Sequence, residues 1–297
     1  MDDGGASSGG GEPATPPPEL KWKQESLYPA TQIWGSSAND IYGAGNLGYI
    51  QHGLGDGQWK QETSGTGANL YGIWGSGPTD IYAAVDANVI LHSAGDGTWK
   101  HENFQAGTTF AGVWGSGSTD VYGFKGGYYH GTGGGMWSAK ATAVSQSEPI
   151  VAMWGSSATD VYAVGGTSHV YHSKGDGTEW AIEEPNGTTF QGISGSSATD
   201  VYVVSNIQLF HSKGDGKWAE QKLPREASNT LGCVFALNAN AVYVGSEGVL
   251  FRSAGDGNWV PQVFDPADPT KSISGIWGTS PTNLYLATPF GVYHGTP

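Results

Sequence analysis

One position of a repeating pattern carries a side chain able to bind ligands or move protons: His52, His92, His130, His172, His211, Arg252 and His294. Imidazole is the commonest metal ligand and titrates near neutral pH, so a row of histidines could hold metal or contact sugars. The same pattern sets Asp40, Asp80, Asp120, Asp160, Asp200, Asn240 and Asn283 ten to twelve residues earlier. In an antiparallel hairpin that spacing brings the end of one strand beside the start of the strand before it. A hydrogen bond from each histidine to its own Asp or Asn would then satisfy polar groups at the sheet end. The sixth copy changes both partners together, to Asn240 and Arg252. The expected role of the row is therefore structural.

The other chemically capable groups are read in the same way. Asp56, Asp96, Asp176, Asp215 and Asp256 lie in Gly-Asp-Gly turns. Calcium needs several converging oxygens, and one carboxylate per turn does not provide them, so hairpin geometry accounts for these residues. Trp34, Trp74, Trp114, Trp154 and Trp277 could stack on sugar rings, but packing between sheets is the stronger expectation. A glycosidase needs two carboxyl groups roughly 5–9.5 Å apart. Glu148, Glu183, Glu184, Glu226, Asp265 and Asp268 fall in variable loops, and the sequence sets no two of them face to face. No phosphate loop, zinc spacing or Ser-His-Asp order is present. A non-catalytic protein without cofactor or metal is expected.

What must position these groups is a seven-fold repeat. Its copies begin at Trp34, Trp74, Trp114, Trp154, Ser194, Phe235 and Trp277. A period near forty residues marks a propeller or solenoid, whose units cannot bury their cores alone. Each copy holds four short runs rich in Val, Ile, Tyr and Trp, bounded by Gly, Asp and Ser, as strands joined by tight hairpins are. The fourth run opens with Trp59, Trp99, Trp137, Trp180, Trp218 or Trp259, which leaves one copy short. Leu20-Lys21-Trp22-Lys23-Gln24-Glu25 matches Gln58-Trp59-Lys60-Gln61-Glu62 and supplies the missing strand. The expected fold is all-β: a seven-bladed propeller over 20–297, four antiparallel strands per blade, closed by the N-terminal strand.

Composition narrows the partners. The formal charge is −14, from 27 acidic against 13 basic residues, and only Arg225 and Arg252 are arginines. Nucleic acid and anionic membranes are poor partners for such a surface. Two arginines also fall short of the three that a sialidase uses around its substrate carboxylate. The single cysteine, Cys233, excludes an internal disulfide and reads as a buried small hydrophobe. No apolar run reaches the length of a membrane span. Residues 1–19 are Gly/Ser-rich and then Pro-rich, and read as a disordered linker.

Trp154-Gly155-Ser156-Ser157 with Asp160-Val161-Tyr162, followed by the His-Ser-x-Gly-Asp-Gly-x-Trp run, resembles propeller repeats of bacterial surface proteins, notably myxobacterial ones, and of propeller lectins. The hairpin is similar to the Asp-box of sialidases, although Ser173 and Asp176 are one residue too far apart and the third copy has Gly133-Gly134-Gly135 without Asp. The linker resembles the spacer behind the lipidated cysteine of surface lipoproteins. These likenesses imply an extracellular or cell-surface protein, lipid-anchored in its native precursor. They further imply multivalent carbohydrate binding, with a protein-interaction scaffold as the alternative and a glycosidase-like enzyme behind both. Connections between strands one and two, and three and four, are nearly constant, while those between two and three, and four and one, vary. Alternate connections emerge on one face, so the ligand, glycan or surface protein, is expected on that face. Its candidate residues are Asn46, Asp86, Tyr128, His169, Asn206, Glu247 and Phe290.

Overall fold

The computed structural model of the chain describes residues 14–87, 89–104, 109–125, 128–140, 149–166, 168–175, 179–224 and 230–297. Seven four-stranded antiparallel sheets follow one another along it. The first strands of blades one to six are Gln32–Ser37, Leu70–Gly77, Phe110–Gly117, Ile150–Ser157, Phe190–Ser197 and Leu231–Asn238. They line a narrow central channel, and each blade runs outward from it in chain order. Blade seven combines Gly275–Ser280, Asn283–Thr288 and Gly291–Thr296 with Lys21–Ser26 as its outermost strand. Trp22 pairs with Gly295 and Lys23 with His294, so the N-terminal strand closes the ring as expected.

Second strands are buried on both faces, which explains their continuous apolar runs such as Val161-Tyr162-Ala163-Val164. The Gly-Asp-Gly turns follow from backbone sterics. Gly95 and Gly97 have φ of +76° and +81°, and a Cβ at Gly95 would lie 2.0 Å from the Pro78 carbonyl oxygen. Between them Asp96 accepts the Thr98 N–H at 2.9 Å. Asp176 lies outside the described residues.

Blades lock together through indole on glycine. Each inner tryptophan reaches into the next blade, over the glycine that follows that blade's own inner tryptophan or, in blade five, Ser194. Trp34 lies over Gly75, Trp74 over Gly115, Trp114 over Gly155, Trp154 over Gly195 and Trp277 over Gly35; a Cβ on these glycines would sit 2.5–2.8 Å from the ring. Of the two departures from tryptophan, Ser194 is matched by a change in the next blade. Blade five carries Ser194, whose Oγ accepts the Ala236 N–H of blade six at 3.0 Å, and blade six has Ala236 where other blades have glycine. Removing the ring makes room for the methyl group.

The ordered ring starts earlier than residue 20. Pro17 is buried, and its carbonyl accepts Nη1 of Arg252 at 2.7 Å. Leu20 is held through both backbone groups by Gln262, with its N–H donating to Oε1 at 3.3 Å. Arg252 is longer than the histidine it replaces. It reaches past Asn240 to the incoming chain, so the sixth-blade exchange serves closure instead of an Asn–Arg pair.

Gly155→Ala is expected to lower stability by about 1–3 kcal/mol, the usual cost of overpacking. Chemical denaturation measures it, and an unchanged midpoint would refute the indole-on-glycine account. Truncation tests the seam. Deleting 1–18 should melt lower than deleting 1–16, which spares Pro17, and deleting 1–26 should melt lowest of all. Equal melting temperatures for the three would count against this closure.

Candidate functional site

The histidine row resolves into a chain of hydrogen bonds. Nε2 of His52, His92, His130, His172 and His211 lies 2.7–2.9 Å from Asp40, Asp80, Asp120, Asp160 and Asp200 in turn, and His294 lies 2.7 Å from Asn283. Each ring stacks on the second-strand tyrosine of its own blade, with centroids 3.8 Å apart for His172 and 4.7 Å for His130. Nδ1 then meets a glutamate three residues past the outer tryptophan: Glu62 at 3.3 Å, Glu102 at 3.1 Å, Glu183 at 2.9 Å and Glu25 at 3.0 Å.

These glutamates also accept the outer indole N–H of the following blade. Trp99 donates to Glu62 at 2.7 Å, Trp218 to Glu183 at 2.8 Å, Trp59 to Glu25 at 3.3 Å, and Trp137 to Glu102. An Asp–His–Glu–Trp series therefore crosses from blade to blade. Both nitrogens of four imidazoles are occupied, which leaves them no lone pair for a metal. Among the described residues no cluster of three or more His, Cys, Asp or Glu is arranged to hold a metal ion. The glutamate was readable at Trp+3. Its tie to the neighbouring blade was not, because that contact spans 34–37 residues.

The carboxylates considered for glycoside hydrolysis are dispersed. Glu183 belongs to the series just described. Glu184 is exposed, 3.8 Å from His169. Asp265 accepts Lys271 at 2.6 Å, and Asp268 accepts the Thr270 N–H. Glu148 and Glu226 lie outside the described residues.

The seven candidate ligand residues fall one to a blade, so they ring the variable face instead of converging on one pocket. Asn46, Asn206 and Phe290 are exposed, and Asp86, His169 and Glu247 are half-buried. Tyr128 is a correction: it is buried. It opens the third strand of blade three with its ring inward, near Tyr122 and Trp180. Its hydroxyl accepts the Trp180 indole at 3.2 Å, in the blade where Lys140 replaces the glutamate. Counting residues from Lys125 made it a loop residue; in space it does the missing glutamate's work.

Two lysines are fixed on this face. Lys125 reaches Asp86 at 3.4 Å and lies 5.9 Å over the Tyr71 ring. Lys271 donates to Asp265 and, at 2.9 Å, to the Tyr293 hydroxyl, and lies 5.7 Å from the Phe290 ring centre. Paired with Asp265 and Tyr293, the Lys271 ammonium is held well above its usual range. At the axis the channel opens into a recess of about 460 Å³ walled by uncharged groups, among them Gln32, Tyr71, Val151, Gln191 and Ser272. Large exposed apolar side chains also gather on this face. Leu27, Tyr28, Leu47, Ile207 and Phe290 lie in its connections, whereas among the described residues only Leu54 and Met136 lie in turns of the other face. The sequence reading missed Leu27, Tyr28 and Leu47.

No protein-family model matches the chain, and no curated protein matches it. Solved structures share its fold. YCF48 bound to D1 peptide is 13% identical with a TM-score of 0.77, covering 96% of this chain and 99% of that one. A catalytically inactive virginiamycin B lyase from Staphylococcus aureus, with quinupristin, is 12% identical with a TM-score of 0.82, covering 94% and 100%. The RRP9 WD40 repeats are 11% identical with a TM-score of 0.79, covering 95% and 99%. At these identities the likeness establishes the propeller fold.

The series makes stability pH-dependent. Burial pulls the His52 and His172 pKa values down, but hydrogen bonds to Glu62 and Asp40, and to Glu183 and Asp160, outweigh it and leave both raised. His92 is raised chiefly by Glu102. A raised histidine stabilises fully below its unfolded value, and that stability is lost as pH rises through the folded value. Burial raises the Glu25 and Asp200 pKa values, but hydrogen bonds from His294 and Trp59, and from His211 and Ser196, more than reverse it. Their contribution is lost instead as pH falls through the lowered folded values. Denaturation midpoints should therefore peak in mildly acidic buffer and fall as pH rises above the ordinary histidine value of about 6.5 and through the raised folded values. His172→Gln should flatten that fall, and an unchanged slope would show that the row does not titrate with folding.

Proposed function

We propose that this is a non-catalytic binding propeller that holds a protein or peptide partner on the face of its two-to-three and four-to-one connections. The observation that carries this reading is the gathering there of Leu27, Tyr28, Leu47, Ile207 and Phe290, all exposed. Exposed apolar groups collected on one face are characteristic of interaction sites. The similar fold of YCF48, whose structure contains a peptide, supports the reading by analogy.

Multivalent glycan binding would need seven equivalent clefts. The groups that could have lined them are used otherwise: inner indoles cover glycines of the next blade, and imidazoles are bonded at both ring nitrogens in four blades. An extracellular or cell-surface placement is part of the proposal and rests on the Gly/Ser- and Pro-rich composition of residues 1–19. Protease added to intact cells should then remove the protein, and full protection would overturn that placement.

The test of the face is comparative. Asn46→Ala and Asn206→Ala should each change stability by no more than about 0.5 kcal/mol, whereas Tyr128→Ala should cost about 3–5 kcal/mol as a core truncation. On arrays, the folded protein should retain peptides and not glycans. Glycan retention without peptide retention would reverse the reading. Glycosidase turnover that Glu184→Gln abolishes would make the protein an enzyme.

A further inference from the structure

The apolar side chains of the variable face are concentrated at the seam where the ring closes. Leu27 is 80% exposed, Leu47 70%, Phe290 51% and Tyr28 42%. They come from three distant stretches of chain, joined by short-range contacts. Gln24 Nε2 donates to the Phe290 carbonyl at 2.7 Å, fixing that loop beside the strand that leads to Leu27. Tyr28 packs on Tyr49 with ring centres 5.3 Å apart, and its carbonyl accepts Gln51 at 2.9 Å. Tyr49 follows Leu47 by two residues. Phe290, Leu27, Tyr28 and Leu47 thus form one ribbon from blade seven to blade one.

Leu47 adds an independent observation. Its φ and ψ are 57° and 28°, the left-handed conformation that an L-residue with a bulky side chain occupies only at a cost. Its N–H donates to Asn69 Oδ1 at 3.1 Å, which holds it there. A leucine kept exposed and strained where Asn or Gly would sit easily points to use of the side chain.

Charge identifies what fits. Beyond Phe290 the ribbon meets Lys271, which is neutralised by Asp265. Past it lie Asp268, whose carbonyl accepts the Lys271 N–H, and Glu247, paired through the backbone with Ser272. Neither carboxylate is paired with a lysine or arginine among the described residues. Resting on the proposed partner-binding role of this face, we infer that the closure seam is a docking site for a peptide segment with two or more large apolar residues flanked on one side by Lys or Arg. The apolar residues lie along Leu47, Tyr28, Leu27 and Phe290, and the basic ones reach Asp268 and Glu247. Ala14, the first described residue, lies on the opposite face, where its N–H meets the Asp256 carboxylate in a three-to-four turn.

The experiment pans a displayed random twelve-residue peptide library against the full chain, then titrates one enriched synthetic peptide by fluorescence anisotropy. The enriched pattern should be an apolar stretch flanked on one side by basic residues. Leu47→Asn and Phe290→Ser should each weaken that peptide about tenfold or more, as loss of an interface anchor does. Ile207→Ser, on blade five of the same face, should leave affinity unchanged. Leu47→Asn should also keep or raise the melting temperature because it relieves strain, which separates lost binding from lost folding. Affinity should fall with salt and on replacing Glu247 and Asp268 by Gln and Asn.

Acidic consensus peptides, or binding sensitive to Ile207→Ser and indifferent to Leu47→Asn, would overturn the seam while leaving the face as a peptide-binding surface. No enrichment at all would remove both readings. A wild-type dimer in sedimentation that Leu47→Asn dissociates would assign the seam to a second copy and overturn the peptide.

Discussion

The whole ring depends on a steric allowance: each inner indole needs a position without a side chain on the next blade. A four-stranded blade has two apolar faces and no means of covering either by itself. Trp114 lying over Gly155, repeated round most of the axis, brings the first strands close enough to leave only a narrow channel. The exchange of Trp for Ser194 beside Ala236 shows that the allowance belongs to the pair and not to either residue. Dispersion and burial do the work, and they demand matched shapes across every seam.

A second link lies farther out, where the indole is too far from the axis to be packed on all sides. There its N–H must find an acceptor or be buried without one. Glu62 solves this for Trp99 while also holding His52, whose other nitrogen is held by Asp40. One carboxylate thereby serves two blades. Where glutamine replaces it, at Gln221 and Gln262, the next indole N–H atoms, of Trp259 and Trp22, are buried without a partner among the described residues. Those blades flank the point of closure, where Gln262 and Arg252 hold the incoming chain at Leu20 and Pro17. Hydrogen-bonding groups there serve closure of the ring instead of the regular series.

Much of this was legible in the sequence because the repeat aligns chemistry with position. Trp154, Tyr162 and His172 stand opposite one another across three strands, as equal spacing requires. The Asp–His pairs followed from hairpin geometry alone. Legibility failed where the period is broken or where contacts join distant stretches. Tyr128 was misread because blade three shortens around it, and a one-residue difference decides whether a side chain faces in or out. The span from Pro17 to Glu19 was taken as linker because its partner, Arg252, is more than 230 residues away. The ribbon of Leu27, Tyr28, Leu47 and Phe290 had no sequence signature, since Phe290 joins the other three only when the two ends of the chain meet.

The two faces therefore differ in what the fold asks of them. On one, most turns supply positive-φ glycines and each second strand starts with Asp or Asn, as the Gly95-Asp96-Gly97 turn and Asp80 do, so little there is free to change. On the other, connections need only span from one strand to the next, and their side chains are released from structural duty. Closure concentrates that freedom. The loop after Lys21–Ser26 joins the two ends of the ring, and it leaves Leu27 exposed where Phe104, Leu223 and Phe264, at the same spacing from their outer tryptophans, are packed against the core. A ring built from near-identical units thus acquires one non-equivalent sector by the act of closing. Under the proposed binding role, that sector is the place to distinguish a single partner without disturbing the seams that hold the fold.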